Sequence, residues 1–308
     1  MTTRMPRKCI VTSTVEHSAI REPLGVLAKL GIAVEKIRVN RGGELDMGML
    51  EEVLTRRGAE GPDGVSLVTM IWANNETGVM FDVVKVGELC RRFGVPLHVD
   101  GVQAVGKVRM KVSEMPVDVM SVSGHKFHGP KGVGALYVRR GVRWNPWVRG
   151  GPQELDRRGG TENVAGIVGM GLAAEMASKC LGDGTWERIG GLRDRLEAGI
   201  LKRVEDAHVI GDAKRRAGNT TNVAFAGLEA EAILLLLSER EICASAGAAC
   251  SSGSLEPSPV LRAMGVDDRI GHGAVRFSLS RFTTEAEVDE VLEVLPGVIR
   301  KLRATLPV

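Results

Sequence analysis

The sequence predicts an α/β fold: a mostly parallel sheet flanked by helices, with a smaller α+β domain at the C-terminal end. Three observations carry this. Strand-like and helix-like segments alternate through the first half of the 308 residues, as they must where parallel strands are joined by helical crossovers. Val65–Trp72 (VSLVTMIW) is a nearly continuous apolar run, as expected of a strand covered on both faces. A long helical stretch then leads into a second series of strands and helices, so the domains are read as residues 1–180 and 181–308.

Taken in order, Lys8–Thr14 (KCIVTST) reads as a strand. Ile20–Leu30 has the apolar spacing of a helix, and Gly31 is placed to stop it. Ile32–Val39 is again strand-like. Asp46–Arg57 presents Met49, Leu50, Val53 and Leu54 on one helical face. Val83–Phe93 reads as a helix ended by Gly94, and Leu97–Asp100 (LHVD) as a short strand ending in an acid. Val117–Val122 (VDVMSV) reads as a buried strand. The glycines after it mark an abrupt turn carrying His125, Lys126 and His128. Gly134–Arg139 is the next strand, and the glycine-rich Arg149–Gly160 precedes Thr161. From Asn163 to Ala207 the pattern is helical, broken near Gly182–Gly184, and its second piece, Trp186–Val204, bridges to the second domain. There Thr221–Ala226 reads as strand, Glu229–Glu239 as helix and Ile242–Ser245 as strand. A Gly/Ser-rich loop, Ala246–Ser254, leads to a helix from Pro257. Strand Ala274–Ser280 and helix Thr284–Arg303 follow, with Thr284 and Glu287 spaced for a capping box.

Composition excludes several function classes. Hydrophobic residues at 44% and charged residues at 26% are ordinary for a soluble globular protein. A net charge of +3 gives no argument for nucleic acid, and one tyrosine with six phenylalanines leaves few platforms for stacking bases. The longest apolar block, Ala232–Leu237, is far shorter than a membrane span. The opening MTTRMPRKCIVTST lacks the apolar core and cleavage site of a signal peptide. The five cysteines, Cys9, Cys90, Cys180, Cys243 and Cys250, are odd in number and widely spaced, without a CxxC. A disulfide framework is therefore not expected, nor a zinc site with the histidines, and a reducing cytoplasm is the expected compartment. Gly124–Lys131 (GHKFHGPK) lacks the glycine-lysine-hydroxyl order of a P-loop.

In open α/β sheets the ligand lies beyond the carboxyl ends of the strands. Asn74–Asn75, Asp100 and Lys126 all follow strand-like runs, so they can converge on one site. If the Lys126 amine is partly withdrawn from water, it becomes a neutral nucleophile able to form a Schiff base with a carbonyl; a solvated surface lysine is the competing reading. Asp100 can be a satisfied turn residue, or can face a pyridine nitrogen and keep it protonated. Asn75 and Gln103 can donate hydrogen bonds to a ring oxygen. Ser123 and His125 can bind phosphate, and His17 can stack on a ring or simply start a helix. Cys250 lies in the small-residue loop Ser245–Ser254 (SAGAACSSGS), where an exposed thiol is a candidate nucleophile. Cys9 and Cys243 lie in apolar runs expected to bury them. Arg276, within VRFSLS, wants a carboxylate, from a substrate or from a structural ion pair.

Seven motifs then occur together and in order: VEHSAI at 15–20, ANNETG at 73–78, HVDGVQAVGK at 98–107, SGHKFHGPKGVGALYVRRG at 123–141, GGTEN at 159–163, ACSSGSLEPS at 249–258 and VRFSLSRFTTEAEVD at 275–289. In these the chain resembles the cysteine desulfurases, the class V branch of fold-type I enzymes that use pyridoxal 5'-phosphate (PLP). The short loop ACSSGSLEPS and the stretch MIWANNETG look most like the nitrogen-fixation type, with the housekeeping iron–sulfur type close behind.

The resemblance implies that Lys126 carries PLP, that Asp100 pairs with the pyridine nitrogen, and that Asn75 and Gln103 contact the phenolic oxygen. It implies that His17 stacks on the ring, that Ser123 and His125 bind the phosphate, and that Thr161 joins them from the other subunit of a homodimer. Arg276, together with Asn75, would hold L-cysteine, Lys126 would act as general base, and Cys250 would take the sulfur as a persulfide. The product would be L-alanine, and the sulfur would pass to an iron–sulfur scaffold or another acceptor protein. The alternatives are a selenocysteine lyase or related PLP β-lyase, and an inactive remnant that only binds partners. Relative to the family pattern, the segment before Lys8, with its Ala-Thr-Glu phosphate-binding turn, is expected to be missing. Pro152 and Leu155–Asp156 depart from the family's usual residues near Thr161.

Overall fold

The computed structural model describes residues 8–247 and 258–305. Among them a six-stranded sheet runs in the order β2-β1-β3-β4-β5-β6. Its strands are β1 (Cys9–Ser13), β2 (Ala33–Ile37), β3 (Val65–Ile71), β4 (Leu97–Asp100), β5 (Val119–Ser123) and β6 (Gly134–Val138). The first five are parallel and β6 turns back antiparallel to β5. Helices α1 (Ser18–Lys29), α2 (Met47–Arg57) and α3 (Val83–Arg92) make the crossovers. Aspartates start two of them: Asp46 accepts from the Met49 N–H and Asp82 from the Lys85 N–H, satisfying donors that a helix start leaves unpaired. Leu50, Val53 and Leu54 of α2, with Val83, Val86 and Leu89 of α3, pack on the buried β3 and β4 to form the first core.

The chain then passes α4 (Gln153–Asp156), α5 (Val164–Cys180) and α6 (Thr185–Arg203), the last two meeting at an angle of 76° across the expected break. No single helix among the described residues is long and apolar enough to cross a membrane. A second sheet, ordered β7-β8-β10-β9, is antiparallel throughout. It is built from β7 (Ala207–Val209), β8 (Thr220–Phe225), β9 (Ser245–Ala246) and β10 (Ala274–Ser278), with α7 (Ala230–Ser238), α8 (Pro259–Ala263), α9 (Asp268–Gly271) and α10 (Glu285–Arg303). Side chains of α6, α7 and α10 close the second core around Phe225, Ile233 and Leu295. Val260, Leu261 and Met264 of α8 reach back into the first core, so the two layers are locked together. The capping box at α10 forms as expected: Thr284 Oγ1 accepts from the Glu287 N–H, and the Glu287 carboxylate accepts from the Thr284 N–H.

Two segments differ from the sequence reading. The expected strand Ile242–Ser245 shrinks to Ser245–Ala246. Glu241 turns left-handed (φ 59°), and the Ile242 N–H bonds back to the Leu237 carbonyl. The apolar residues there finish α7 instead of pairing. Cys243 consequently lies exposed. The strand expected at Val117–Val122 runs from Val119 to Ser123 and is mostly half-buried, and its last residue, Ser123, borders the site described below.

Two features bear on solution behaviour. The outer edge of β6 pairs with no strand among the described residues. Nearby, Val164, Ile167, Val168, Leu172 and Met176 of α5 are exposed, as is Trp147 (95%).

At α4 three consecutive non-glycine residues, Glu154, Leu155 and Asp156, have φ of 49°, 58° and 62°. A left-handed backbone costs an L-residue roughly 1–2 kcal/mol, part of which a glycine returns to the unfolded chain as entropy. Leu155 is 84% exposed, so no buried contact offsets that strain. Leu155→Gly should therefore raise the unfolding free energy by roughly 0.5–1 kcal/mol in urea titrations, and Leu155→Ala should not; a destabilised glycine variant would refute the left-handed turn.

Candidate active site

The carboxyl ends of β1, β3, β4 and β5 lie on one edge of the large sheet, and the strand order reverses between β1 and β3. That is where an open α/β sheet leaves a crevice. After β1 the chain turns through Glu16 and His17. His17 caps α1, its Nδ1 accepting from the Ala19 N–H at 3.1 Å. That bond orients the ring and leaves Nε2 to carry the proton of the neutral form. Burial is the main cause that lowers the His17 pKa, with the Lys126 cation adding to it and Asp100 opposing it. Glu16 is 3% exposed. Its Oε1 accepts from Ser13 Oγ (2.5 Å) and from the Ile71 N–H (3.0 Å), while Oε2 is buried with no hydrogen-bond partner among the described residues. Burial pushes its pKa up to about 8, so Glu16 is a neutral acid at pH 7.

The turn after β3 is held from within. Asn74 Oδ1 accepts from the N–H groups of Glu76 and Thr77, and Asn74 Nδ2 donates to the Val15 carbonyl at 3.0 Å. This fixes Asn75 between the loops of β1 and β3. Arg276 of β10 reaches in from the small sheet, and its Nη1 donates to the Asn75 carbonyl. Asn75 Oδ1 is buried and unbonded among the described residues.

Asp100 ends β4 at 5% exposure, and its Oδ1 accepts from the Val102 N–H at 3.0 Å. The helical turn that follows carries Gln103 and Lys107. Gly106 permits it: its φ is +77°, and a Cβ there would sit 2.9 Å from the Cβ of Phe127. Ser123 Oγ and His125 Nδ1 are 3.0 Å apart at the end of β5, and Lys126 follows in a short 3-10 turn, Gly124–Phe127.

These loops enclose two cavities that share a wall. One, of about 430 Å³, is lined by His17, Asn75, Asp100, Gln103, Ser123, His125, Lys126 and Arg276, among others. The other, of about 280 Å³, lies across Asn75, Gln103, Lys126 and Arg276 and adds Lys107 and Arg281. The first brings together all but two of the residues singled out from sequence. Thr161 is exposed and lines neither cavity. Cys250 lies outside the described residues. Of the two readings of Lys126, a withdrawn amine and a solvated lysine, its exposure fits the second, although the residue lines both cavities.

The donor set suits a flat, phosphorylated pyridine. One cavity is lined by the buried carboxyl of Asp100, the imidazole of His17, the amides of Asn75 and Gln103, the adjoining hydroxyl and imidazole of Ser123 and His125, and the amine of Lys126. The unbonded Asn75 Oδ1 and Glu16 Oε2 are polar atoms with capacity to spare for a polar guest. Sequence reasoning missed Glu16 and Lys107. Each sits in a motif beside a residue that was noticed, and the signal was a charge directly after an apolar strand or in its first turn.

Comparison with known proteins agrees with this geometry. The sequence profile of the family described as Aminotransferase class-V matches residues 2–291. A cysteine desulfurase of Gluconacetobacter diazotrophicus is 50% identical over 306 residues, covering 99% of this chain and 74% of that one. The cysteine desulfurase NifS of Azotobacter vinelandii is 47% identical over 301 residues, covering 98% and 73%. Among solved structures, a NifS-like protein superposes with a TM-score of 0.86 at 34% identity, covering 96% of this chain and 76% of that one.

Glu16 allows a direct check. A carboxyl whose pKa rises on folding binds its proton more tightly in the native state, so stability falls as pH climbs from the unfolded pKa towards the folded one. The window here runs from 4.5 to about 8. Glu16→Gln, which cannot ionise, should gain on the parent by about 1.4 kcal/mol per pH unit across that window, read from urea unfolding at several pH values. A difference independent of pH would mean that Glu16 is ionised in the fold.

Proposed function

The chain belongs to the class-V aminotransferase family, in its cysteine desulfurase branch, and on that premise we propose that it converts L-cysteine to L-alanine, holds the sulfur on Cys250 and supplies it for iron–sulfur cluster assembly. The observation that carries this is the convergence of Asn75, Asp100, Gln103, Ser123, His125, Lys126 and Arg276 on one cavity with His17.

PLP is the cofactor that this donor set fits, and when bound it supplies an electron sink that acidifies the Cα–H of an amino acid and weakens its Cβ–S bond. The protein's own groups do the rest. Lys126 Nζ is the attachment amine. Asp100 holds a proton at the ring nitrogen by placing a buried carboxylate opposite it. Gln103 and Asn75 donate their amide N–H groups to the phenolic oxygen. His17, neutral and held by its cap, would stack on the ring and add no second positive charge. Ser123 and His125 hold the phosphate, with Thr161 of a second copy completing the cradle in a homodimer. Arg276 fixes the substrate carboxylate through its guanidinium fork, and its hydrogen bond to the Asn75 carbonyl keeps that fork at the cavity wall.

The Lys126 amine would be the base that takes the Cα proton and the acid that returns it. The Cys250 thiolate then attacks the substrate sulfur. A Cys250–sulfur bond forms as the Cβ–S bond breaks, and the carbon fragment leaves as alanine. The net change, cysteine plus thiol to alanine plus persulfide, balances without an added oxidant. The persulfide passes to an acceptor protein, and a reducing cytoplasm is the setting that keeps both thiols free.

The test is spectroscopic and chemical together. Adding PLP to the purified chain should give the visible absorbance of a lysine-bound cofactor, and Lys126→Ala should abolish it. Cys250→Ala should keep the absorbance yet lower sulfide release from cysteine in the presence of a thiol reductant by roughly a hundredfold or more. Parent-rate release from the Cys250 variant would end the persulfide assignment, and unchanged absorbance in the Lys126 variant would remove that lysine from its role.

A further inference from the structure

Lys107 is a cation in the wall between the two cavities. It stands four residues after Gln103 in the turn that follows β4, where i and i+4 side chains meet. Its Nζ donates to Gln103 Oε1 at 2.7 Å. The smaller cavity, which it lines, also presents His125, Lys126, His128, Arg276 and Arg281, and no aspartate or glutamate lines it among the described residues. Lys107 therefore faces positive groups from the β5 turn and from the end of β10, with the neutral Gln103 amide as its hydrogen-bonding acceptor.

The identity of the two partners settles which way the amide points. An ammonium has three donors and no acceptor, so only the oxygen of an amide can meet it. With Oε1 held in this way, the Nε2 donors are turned to the opposite side, where Gln103 borders the larger cavity. Without the ammonium the amide could flip, and its oxygen would then face an acceptor atom of the guest and repel it.

We propose that Lys107 is a positioning residue: by binding Gln103 Oε1 it locks that amide as a pure donor toward the cofactor's ring oxygen. This rests on the PLP reading above, and it assigns a task to a lysine that is neither the attachment amine nor a phosphate ligand. A second consequence concerns pH. Burial, then the Lys126 and Arg276 cations, lower the Lys107 pKa to about 8. The lock is therefore mostly charged at neutral pH and loosens in mildly alkaline solution.

The chain contains two glutamines, Gln103 and Gln153, so glutamine-selective 15N labelling gives two side-chain NH2 signals that a single variant assigns. In the cofactor-free protein the Gln103 pair should titrate with a midpoint near 8. Lys107→Met should abolish that titration and broaden the pair, and Lys107→Arg should keep it sharp without the midpoint. In a PLP titration followed by visible absorbance, Lys107→Met should weaken cofactor affinity about fivefold. Lys107→Arg should stay within about twofold, and Lys107→Met in a Gln103→Ala background should add less than about twofold. Gln103 signals indifferent to Lys107→Met overturn the lock. Equal losses of PLP affinity with and without Gln103 overturn its action through that amide. If the parent chain binds no PLP, the cofactor assignment falls and the proposed role with it, while the labelled signals still decide whether Lys107 orders Gln103.

Discussion

The turn Asn74–Glu76 is the joint on which the site hangs. Asn74 bonds its own turn and the Val15 carbonyl. The Asn75 carbonyl receives Arg276, the Glu76 carbonyl receives Asn222 Nδ2 at 3.1 Å, and the Glu76 carboxylate receives the Ser258 hydroxyl. Three adjacent residues thus tie the loop after β1, the end of β3, two strands of the small sheet and the cap of α8. All of these groups are buried or partly so, and leaving one unpaired costs about 1–3 kcal/mol. The two sheets are therefore set at one fixed separation, and Arg276 arrives at the cavity as part of that fixed frame.

Charge is sorted about the same joint. The buried acids Glu16 and Asp100, which follow β1 and end β4, line the larger cavity. The cations Lys107, Lys126, Arg276 and Arg281 line the wall and rim. Glu16 is held neutral by burial, with the nearby Asp100 adding to that effect. A lining that combines buried carboxyls with several cations suits a guest that carries a positive group and anionic groups together. A protonated pyridine bearing phenolate, phosphate and a bound carboxylate has that pattern.

Much of this was legible in the sequence, for identifiable reasons. The strands β1, β3 and β4 announced themselves because their apolar residues are buried on both faces, and only short hydroxyls, His98 and the terminal Asp100 interrupt the runs. The capping box of α10 is a purely local device, and local devices survive in sequence. Ile242 and Cys243 misled because an apolar run fits a strand and a helix stop equally well, and only the left-handed Glu241 decides between them. Lys126 was found by its position after a strand, but its exposure depends on how the cavity opens, which no local pattern records. Glu16 and Lys107 stayed hidden since each acts through a neighbour: one by being neutral, the other by turning an amide. Cys250 was noticed for its small-residue setting and lies outside the described residues.

Among the described residues, the unpaired outer edge of β6 and the exposed apolar face of α5 have a practical consequence. A strand edge with its backbone groups unpaired is a template for other chains, and a contiguous apolar helix face beside it supplies adhesion. A net charge of +3 over 308 residues offers little mutual repulsion to hold molecules apart. The colloidal behaviour of this protein is thus decided on the flank where α5 packs against the Gly124–Phe127 turn. Salts that strengthen hydrophobic association would precipitate it through that flank.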